Sequence, residues 1–213
     1  MKPTAGVLCL QGSSEPHVLR LAELFAAGEL AAPPREVRQL RDLDGLTHLI
    51  LPGGESTTIR HLLDLFGMTS ELVARHRNGT LCLFGTCAGA ILLAADDGTR
   101  PKRLALLDAT LERNAYGRQV DSFSEALTLE LPEESGQPDR GPQDRCSPQA
   151  FHGVFIRAPR FARIGPGVRV VARRGAEPVL VEAPGLLAGT FHPELTRDLR
   201  IHRHFLAMEA ATG

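Results

Sequence analysis

The sequence contains no tryptophan, one tyrosine and nine phenylalanines in 213 residues, so aromatic side chains make up only 5% of it. Proteins that hold single-stranded nucleic acid by base stacking need such platforms, and this chain is poorly supplied with them. It also lacks an excess of charge of either sign: 24 Lys and Arg stand against 25 Asp and Glu. That balance gives no electrostatic footprint for nucleic acid or an anionic membrane. No apolar run is long enough to span a bilayer. The run Ala5 to Leu10, behind Met1-Lys2-Pro3-Thr4, is too short and too interrupted by glycine for a secretory leader. The four cysteines, Cys9, Cys82, Cys87 and Cys146, include no C-x-x-C pair, so neither a metal site nor a disulfide framework is implied. The expectation is a reduced, cytoplasmic protein.

What the chain does have is apolar content, 43%, and frequent turn residues, 21 glycines and 15 prolines. A chain of this length and composition fits a single domain over residues 1–213. Gly6 to Leu10 is a short apolar run stopped by Gln11-Gly12 and reads as a buried strand. A helix follows over the apolar-periodic stretch Val18 to Phe25, with Pro16 near its start and Ser13 or Ser14 as N-cap. Arg35 to Leu40 is a weaker strand, and His48 to Leu51 a strong one closed by Pro52-Gly53-Gly54. Helices are expected from Thr57 to Phe66 and from Ser70 to His76. A strand at Leu81 to Phe84 and a helix from Ala88 to Ala95 complete the first half. Continuous rather than alternating apolar strands between helices argue for an α/β three-layer sandwich with a mostly parallel central sheet. Short strands at Val168 to Ala172, Val179 to Ala183 and Leu186 to Phe191 suggest antiparallel pairs later, before a final helix from Thr196 to Ala210. Residues 132–149 are almost devoid of apolar side chains and read as an exposed loop.

Gly85-Thr86-Cys87-Ala88-Gly89 has the form G-x-C-x-G between a buried strand and a helix. With serine at its centre, this pattern is the nucleophile elbow of hydrolases. The tight turn lifts Cys87 above the C-terminal edge of the sheet, where α/β proteins place ligands. The helix N-terminus favours thiolate over thiol, and the N–H of Ala88 is free for an oxyanion. Cys9 and Cys82 lie inside strands and read as core residues, and Cys146 lies in the polar loop.

A thiolate nucleophile needs a base, and the base needs an orienting partner. Among eight histidines, His192 stands in Phe191-His192-Pro193-Glu194 at the end of a strand. Pro193 keeps His192 out of helix. In extended backbone, His192 and Glu194 would project from the same side, so that the carboxylate fixes the tautomer of the imidazole. His17, His61 and His76 fall on helices, and His202 and His204 on the last helix; all five read as surface or packing residues.

The Cys87 turn together with His192-Pro193-Glu194 resembles the signature of the class I glutamine amidotransferases. Three further stretches, Leu51 to Thr58, Glu112 to Phe123 and Gly153 to Pro159, are similar to those of the glutaminase subunits of pyridoxal 5′-phosphate synthases, as is Gly6 to Gly12. The resemblance covers nearly the whole chain and departs from the usual pattern at Ser13 to His17 and in the longer loop 132–149. It implies a flavodoxin-like class I glutaminase fold and hydrolysis of L-glutamine to L-glutamate and ammonia. The ammonia would pass to a separate synthase subunit in a hetero-oligomeric complex that makes the vitamin B6 cofactor. No metal or cofactor is implied in this subunit. The triad would be Cys87, His192 and Glu194, with Gly54 joining Ala88 as oxyanion donors. L-glutamine would be bound by Gly54, Glu55, Ser56, Arg113, Ile156 and Arg157, with Arg113 pairing with the substrate α-carboxylate. By itself, Gly54-Glu55-Ser56 reads as a turn and helix cap, with Ser56 able to serve both roles. Three other readings remain: a glutaminase of another biosynthetic pathway, a free-standing cysteine hydrolase of γ-glutamyl peptides, and a non-enzymatic scaffold. The stretches around Arg113 and Phe155-Ile156-Arg157 argue against the first and the complete triad against the last; isolated activity discriminates the second.

Overall fold

Side chains of the strands divide between two cores on opposite faces of one sheet in the computed structural model, which describes residues 1–96, 98, 103–113, 115, 122–131 and 149–210. The strands β1 (Ala5–Leu8), β3 (His48–Leu51) and β4 (Cys82–Thr86) are buried along their whole length. Leu8, Leu49, Leu51 and Leu83 enter one core, and Val7, Ile50, Cys82 and Phe84 the other. Successive residues of a strand point to opposite faces, so a continuous apolar run is what a strand covered on both sides requires. The first core is closed by α2 (Ser56–Leu65), α3 (Met68–Arg77) and α4 (Ala88–Leu93). The second is closed by α1 (Glu15–Ala26) and α5 (Arg200–Ala207). Helices, sheet and helices form the three layers expected.

The remaining strands are β2 (Arg35–Val37), β5 (Ala109–Glu112), β6 (Ser122–Leu129), β7 (Gln149–Ile156), β8 (Arg160–Ile164), β9 (Arg169–Arg174), β10 (Glu177–Ala183) and β11 (Leu186–Gly189). The main sheet runs β2-β1-β3-β4-β11-β10-β9-β6-β7, and β5 pairs with β8 separately. From β2 to β11 neighbours are parallel; from β11 to β7 they are antiparallel. The hairpin β10–β11 is the hinge between the two regimes. It returns the chain beside β4 and brings the end of β11 next to the Cys87 turn.

Several boundaries differ from expectation for local reasons. The strand expected to Leu40 ends at Val37, because Gln39 and Asp42 form a reciprocal capping box that opens a 3₁₀ turn over Leu40–Leu43. Ser14 occupies the N-cap position of α1 but makes no side-chain cap. The last helix begins at Arg200 rather than Thr196: Pro193–Leu195 form a 3₁₀ turn, and the Asp198 carboxylate accepts from the N–H of Arg200 at 3.0 Å. Most of the polar loop 132–149, with Cys146, lies outside the described residues, as do Asn114 and residues 116–121 of the stretch after Glu112. Among the described residues, no helix is long and apolar enough to cross a membrane.

Candidate active site

The register of β4 against β11 pairs Thr86 with Gly189, and the N–H of Cys87 donates to the Gly189 carbonyl at 2.8 Å. The residues that follow two neighbouring parallel strands therefore emerge side by side. Cys87 is the N-cap of α4, with φ 48° and ψ −104°, a conformation costly for a residue with a Cβ and typical of functional turns. The glycines on either side of it are needed because the turn folds on itself. A Cβ on Gly85 would overlap the backbone of Gly89, and one on Gly89 would overlap the Leu51 carbonyl of β3. The sulfur points toward the Ile156 carbonyl, to which Sγ donates at 3.8 Å.

His192 is held by its own backbone: its N–H donates to the Val154 carbonyl of β7 at 2.8 Å. Its Nδ1–H donates to Oε1 of Glu194 at 2.7 Å. Both side chains are buried. They meet through the 3₁₀ turn Pro193–Leu195 rather than the extended segment expected, because Pro193 starts a turn here instead of prolonging the strand. With Nδ1 committed, Nε2 is the nitrogen left for chemistry, and it has no hydrogen-bond partner among the described residues. Burial disfavours the imidazolium, but the neighbouring Cys87 sulfur and the Glu194 carboxylate that accepts from Nδ1 outweigh it and lift His192 to about 10. For Glu194, burial favours the neutral acid, but His17 and His192 outweigh it and hold the carboxyl below its ordinary value.

One cavity of about 330 Å³ is lined by Gly54, Glu55, Ser56, Cys87, Ala88, Arg113, Ile156, Arg157 and His192. All the residues singled out from the sequence thus meet at one edge of the sheet, with Glu194 behind His192. Their roles differ in detail. Glu55, not Ser56, caps α2: its Oε2 accepts from the N–H of Thr58 at 2.7 Å, and its own N–H donates to Oε1 of Gln11 at 2.9 Å. Ser56 is the first residue of the helix and is buried. The carbonyl of Gly53 accepts from the N–H of Ser13 at 3.1 Å. Across a trans peptide, the N–H of Gly54 therefore points the other way. Arg113 reaches from the end of β5 to α2, where its Nη1 donates to Oγ1 of Thr57 at 3.1 Å. Ile156 offers its carbonyl to Cys87, and Arg157 follows with φ 44°. A larger depression of about 520 Å³ around Gly185 and Met208 lies at the opposite edge of the sheet and contains none of these residues.

Five contributors escaped the sequence reading. Ser13, Gly53 and Ile91 also line the cavity, and Gln11 buttresses Glu55. The signal for Gln11 and Ser13 was available, since they follow β1 as Pro52-Gly53-Gly54 follows β3. His17, taken as an ordinary helix residue, is fully buried against Glu194, at 3.2 Å. It shares the apolar face of α1 with Leu21 and Leu24, a position where an imidazole needs a polar partner.

Comparison with known proteins places this geometry in context. Residues 7–210 match the model of the SNO glutamine amidotransferase family. The chain is 48% identical over 210 residues to "Pyridoxal 5′-phosphate synthase subunit PdxT" of Thermus thermophilus, an alignment covering 98% of each chain. It is 44% identical to the protein of the same name from Mycolicibacterium vanbaalenii, over 96% of this chain and 97% of that one. Among solved structures, one described as a glutamine amidotransferase superposes with a TM-score of 0.80 at 47% identity, covering 95% of this chain and 97% of the other. A putative GMP synthase component from Thermoplasma acidophilum, at 16% identity and a TM-score of 0.61 over 97% of this chain and 94% of that one, shares the fold alone.

Proposed function

The chain belongs to the SNO glutamine amidotransferase family, and on that premise we propose that it is the glutaminase subunit of a pyridoxal 5′-phosphate synthase, hydrolysing L-glutamine to L-glutamate and ammonia with Cys87, His192 and Glu194. The carrying observation is the 2.7 Å contact from Nδ1 of His192 to Glu194, just beyond the end of β11, the strand parallel to β4, whose end is followed by Cys87. The whole chain acts as one glutaminase domain. Its free cysteines among the described residues, Cys9, Cys82 and Cys87, suit a cytoplasmic setting.

In this reading, Cys87 gives its proton to Nε2 of His192 before glutamine arrives, the state that an imidazole raised to about 10 favours, and Sγ then attacks the side-chain amide carbon. The negative charge moves to the amide oxygen, where the N–H groups of Ala88 and Gly54 receive it; such a donor is worth about 2.7–4 kcal/mol in the transition state. His192 then protonates the departing nitrogen, and ammonia leaves a thioester on Cys87. Water, giving up a proton to His192, attacks the thioester; glutamate departs and the thiol is restored. Glu194 stays ionised and holds the imidazole in its working tautomer. Arg113 pairs with the α-carboxylate, and Glu55, Ser56, Ile156 and Arg157 shape the rest of the glutamine site. The ammonia passes to a synthase subunit in a hetero-oligomeric complex, the assembly that the names of the relatives imply.

The test is release of ammonia and glutamate from L-glutamine by the purified chain, alone and titrated with the synthase subunit. Stimulation by that subunit is expected. Full activity without it would favour a free-standing hydrolase, and no ammonia in either arm would sink the glutaminase reading. A glutamine-analogue alkylator should label Cys87 alone among the four thiols.

A further inference from the structure

Behind Glu194, on the side away from His192, the core holds a pair of imidazoles that the hydrolysis above leaves unused. His17 on α1 and His202 on α5 are both completely buried. Nδ1 of His17 lies 3.1 Å from Nε2 of His202. Its other nitrogen, Nε2, lies 3.1 Å from Oγ1 of Thr86 and 3.2 Å from Oε2 of Glu194. The hydrogen-bond axis of Nε2 runs to Thr86. Oε2 therefore meets the ring edge obliquely and has no aligned hydrogen bond from a described residue.

We infer that His17 is a positioning residue of this site: its Nε2–H faces both Thr86, the residue before the nucleophile, and the outer oxygen of Glu194, while His202 fixes the tautomer that makes this possible. The inference rests on the triad proposed above.

Proton counting supports the tautomer. Two ring nitrogens 3.1 Å apart need one hydrogen between them. Were it on Nδ1 of His17, the neutral ring would turn a bare lone pair toward a buried carboxylate oxygen at 3.2 Å, a repulsive contact. With the hydrogen supplied by Nε2–H of His202, His17 carries its own on Nε2, and Glu194 meets the positive end of that N–H dipole. The cost falls on Nδ1 of His202, a buried acceptor without a partner among the described residues. Burial pushes both imidazoles down, His202 to about 3, so the pair is neutral near pH 7. The other charged or titratable groups acting on the pair are His192, Arg20 and Asp198. Arg20 is engaged by the Thr196 carbonyl and Glu23, and Asp198 by Arg200. His17 thus ties together three elements: α1, the end of β4 and the turn after β11.

A partner behind a reacting group's ligand fixes its orientation, and losing such a partner in metal sites costs about 10- to 100-fold. The experiment compares His17→Leu, His17→Gln and His202→Phe in complex with the synthase subunit, following kcat and KM for glutamine, and the pH titration of the His192 imidazole by NMR in the glutaminase chain. In His17→Leu, kcat should fall by about that 10- to 100-fold with KM little changed, because His17 does not line the cavity. The titration midpoint of His192 should fall too, since a stranded Oε2 lets Glu194 hold a proton. His17→Gln, which can return an N–H near the Nε2 position, should recover most of both. His202→Phe, which keeps a ring in place, should show a smaller loss in the same direction and carries the test should His17→Leu fail to fold. Wild-type kcat and an unmoved His192 titration in the folded variants would overturn the inference, as would a loss expressed in KM or one that glutamine cannot rescue. The titration needs no substrate, so it separates this inference from the glutaminase reading: a chain that released no ammonia could still show the coupling of His17 to His192.

Discussion

Gly53 lies directly against the ring of His192: a Cβ built on Gly53 would overlap Cε1 of His192 and lie 3.2 Å from its Nδ1. The same atom would lie 3.5 Å from Cβ of Cys87. Gly53 thus leaves room for the His192 ring and for Cys87, both of which face its missing side chain. Gly53→Ala should displace the imidazole by roughly the width of a methyl group. A misplacement of about 1 Å can cost about 10²-fold in rate, so a loss of that size is expected in a folded protein. Steady-state glutaminase assays with circular dichroism as the folding control check this. Gly89→Ala should behave differently: its Cβ meets the rigid Leu51 carbonyl, and the expected result is a chain that does not fold.

The backbone at Cys87 supplies a second prediction. Its φ of 48° with ψ of −104° is a conformation whose cost is about 1–3 kcal/mol for a non-glycine residue. Glycine has no Cβ and adopts it freely. Cys87→Gly and Cys87→Ala should both be hydrolytically dead, but the glycine variant should be the more stable by about 1 kcal/mol. Chemical denaturation of the two side by side measures the difference. Equal stability would mean that the turn stores no strain.

Arg113 is exposed at the rim of the cavity, and one of its guanidinium nitrogens is already engaged with Thr57. If the remaining donors take the α-carboxylate of glutamine, Arg113→Ala should raise KM by about 10- to 100-fold, the range for a charged hydrogen bond. The value of kcat should change little. Lysine should rescue poorly, because it cannot reproduce a bidentate fork. An effect confined to kcat would place Arg113 outside substrate binding.

Stability should fall as the medium is acidified below about pH 6.5. Burial pushes His17, His48, His76 and His202 below their ordinary value. Below about pH 6.5 the unfolded chain therefore takes up protons that the folded chain refuses. Each fully buried histidine contributes up to about 1.4 kcal/mol of destabilisation per pH unit in that window; His48 and His76, less deeply buried, contribute less. His192 works in the opposite sense. Raised to about 10, it stabilises fully below pH 6.5 and loses that contribution as pH rises toward 10. Urea denaturation at pH 6.5, 6.0 and 5.5 should show the decline; a flat response across that window would contradict the neutral state of the buried imidazoles.

Much of the site was legible because local chemistry fixes local backbone. A strand followed by G-x-C-x-G must make a tight turn whatever surrounds it, and the spacing His192-x-Glu194 lets a carboxylate reach a ring two residues away. The apolar runs at Gly6 to Leu10, His48 to Leu51 and Leu81 to Phe84 carried the sheet for the same reason: a strand buried on both faces has nowhere to place a polar residue. Where two local solutions competed, the sequence did not choose. Both Glu55 and Ser56 can cap a helix, and the choice of Glu55 followed from Gln11 holding its N–H from a different strand. Pro193 forbade a helix at His192 without saying whether a strand or a 3₁₀ turn came next.

By itself the sequence determined the chemical identities and the turns that expose them: a thiol before a helix, an imidazole and a carboxylate after a strand, and glycines where backbones cross. Only the tertiary structure decided which of these meet. The hairpin β10–β11 had to lay β11 beside β4 before Cys87 and His192 could share a cavity. His17 shows the limit most clearly. Read along the chain it is one histidine on an amphipathic helix, and its role depends on Thr86, Glu194 and His202, the last 185 positions away. Residue patterns encode geometry over a few bonds, whereas the partners of a buried polar atom are set by which elements pack against each other, and that is a property of the whole fold.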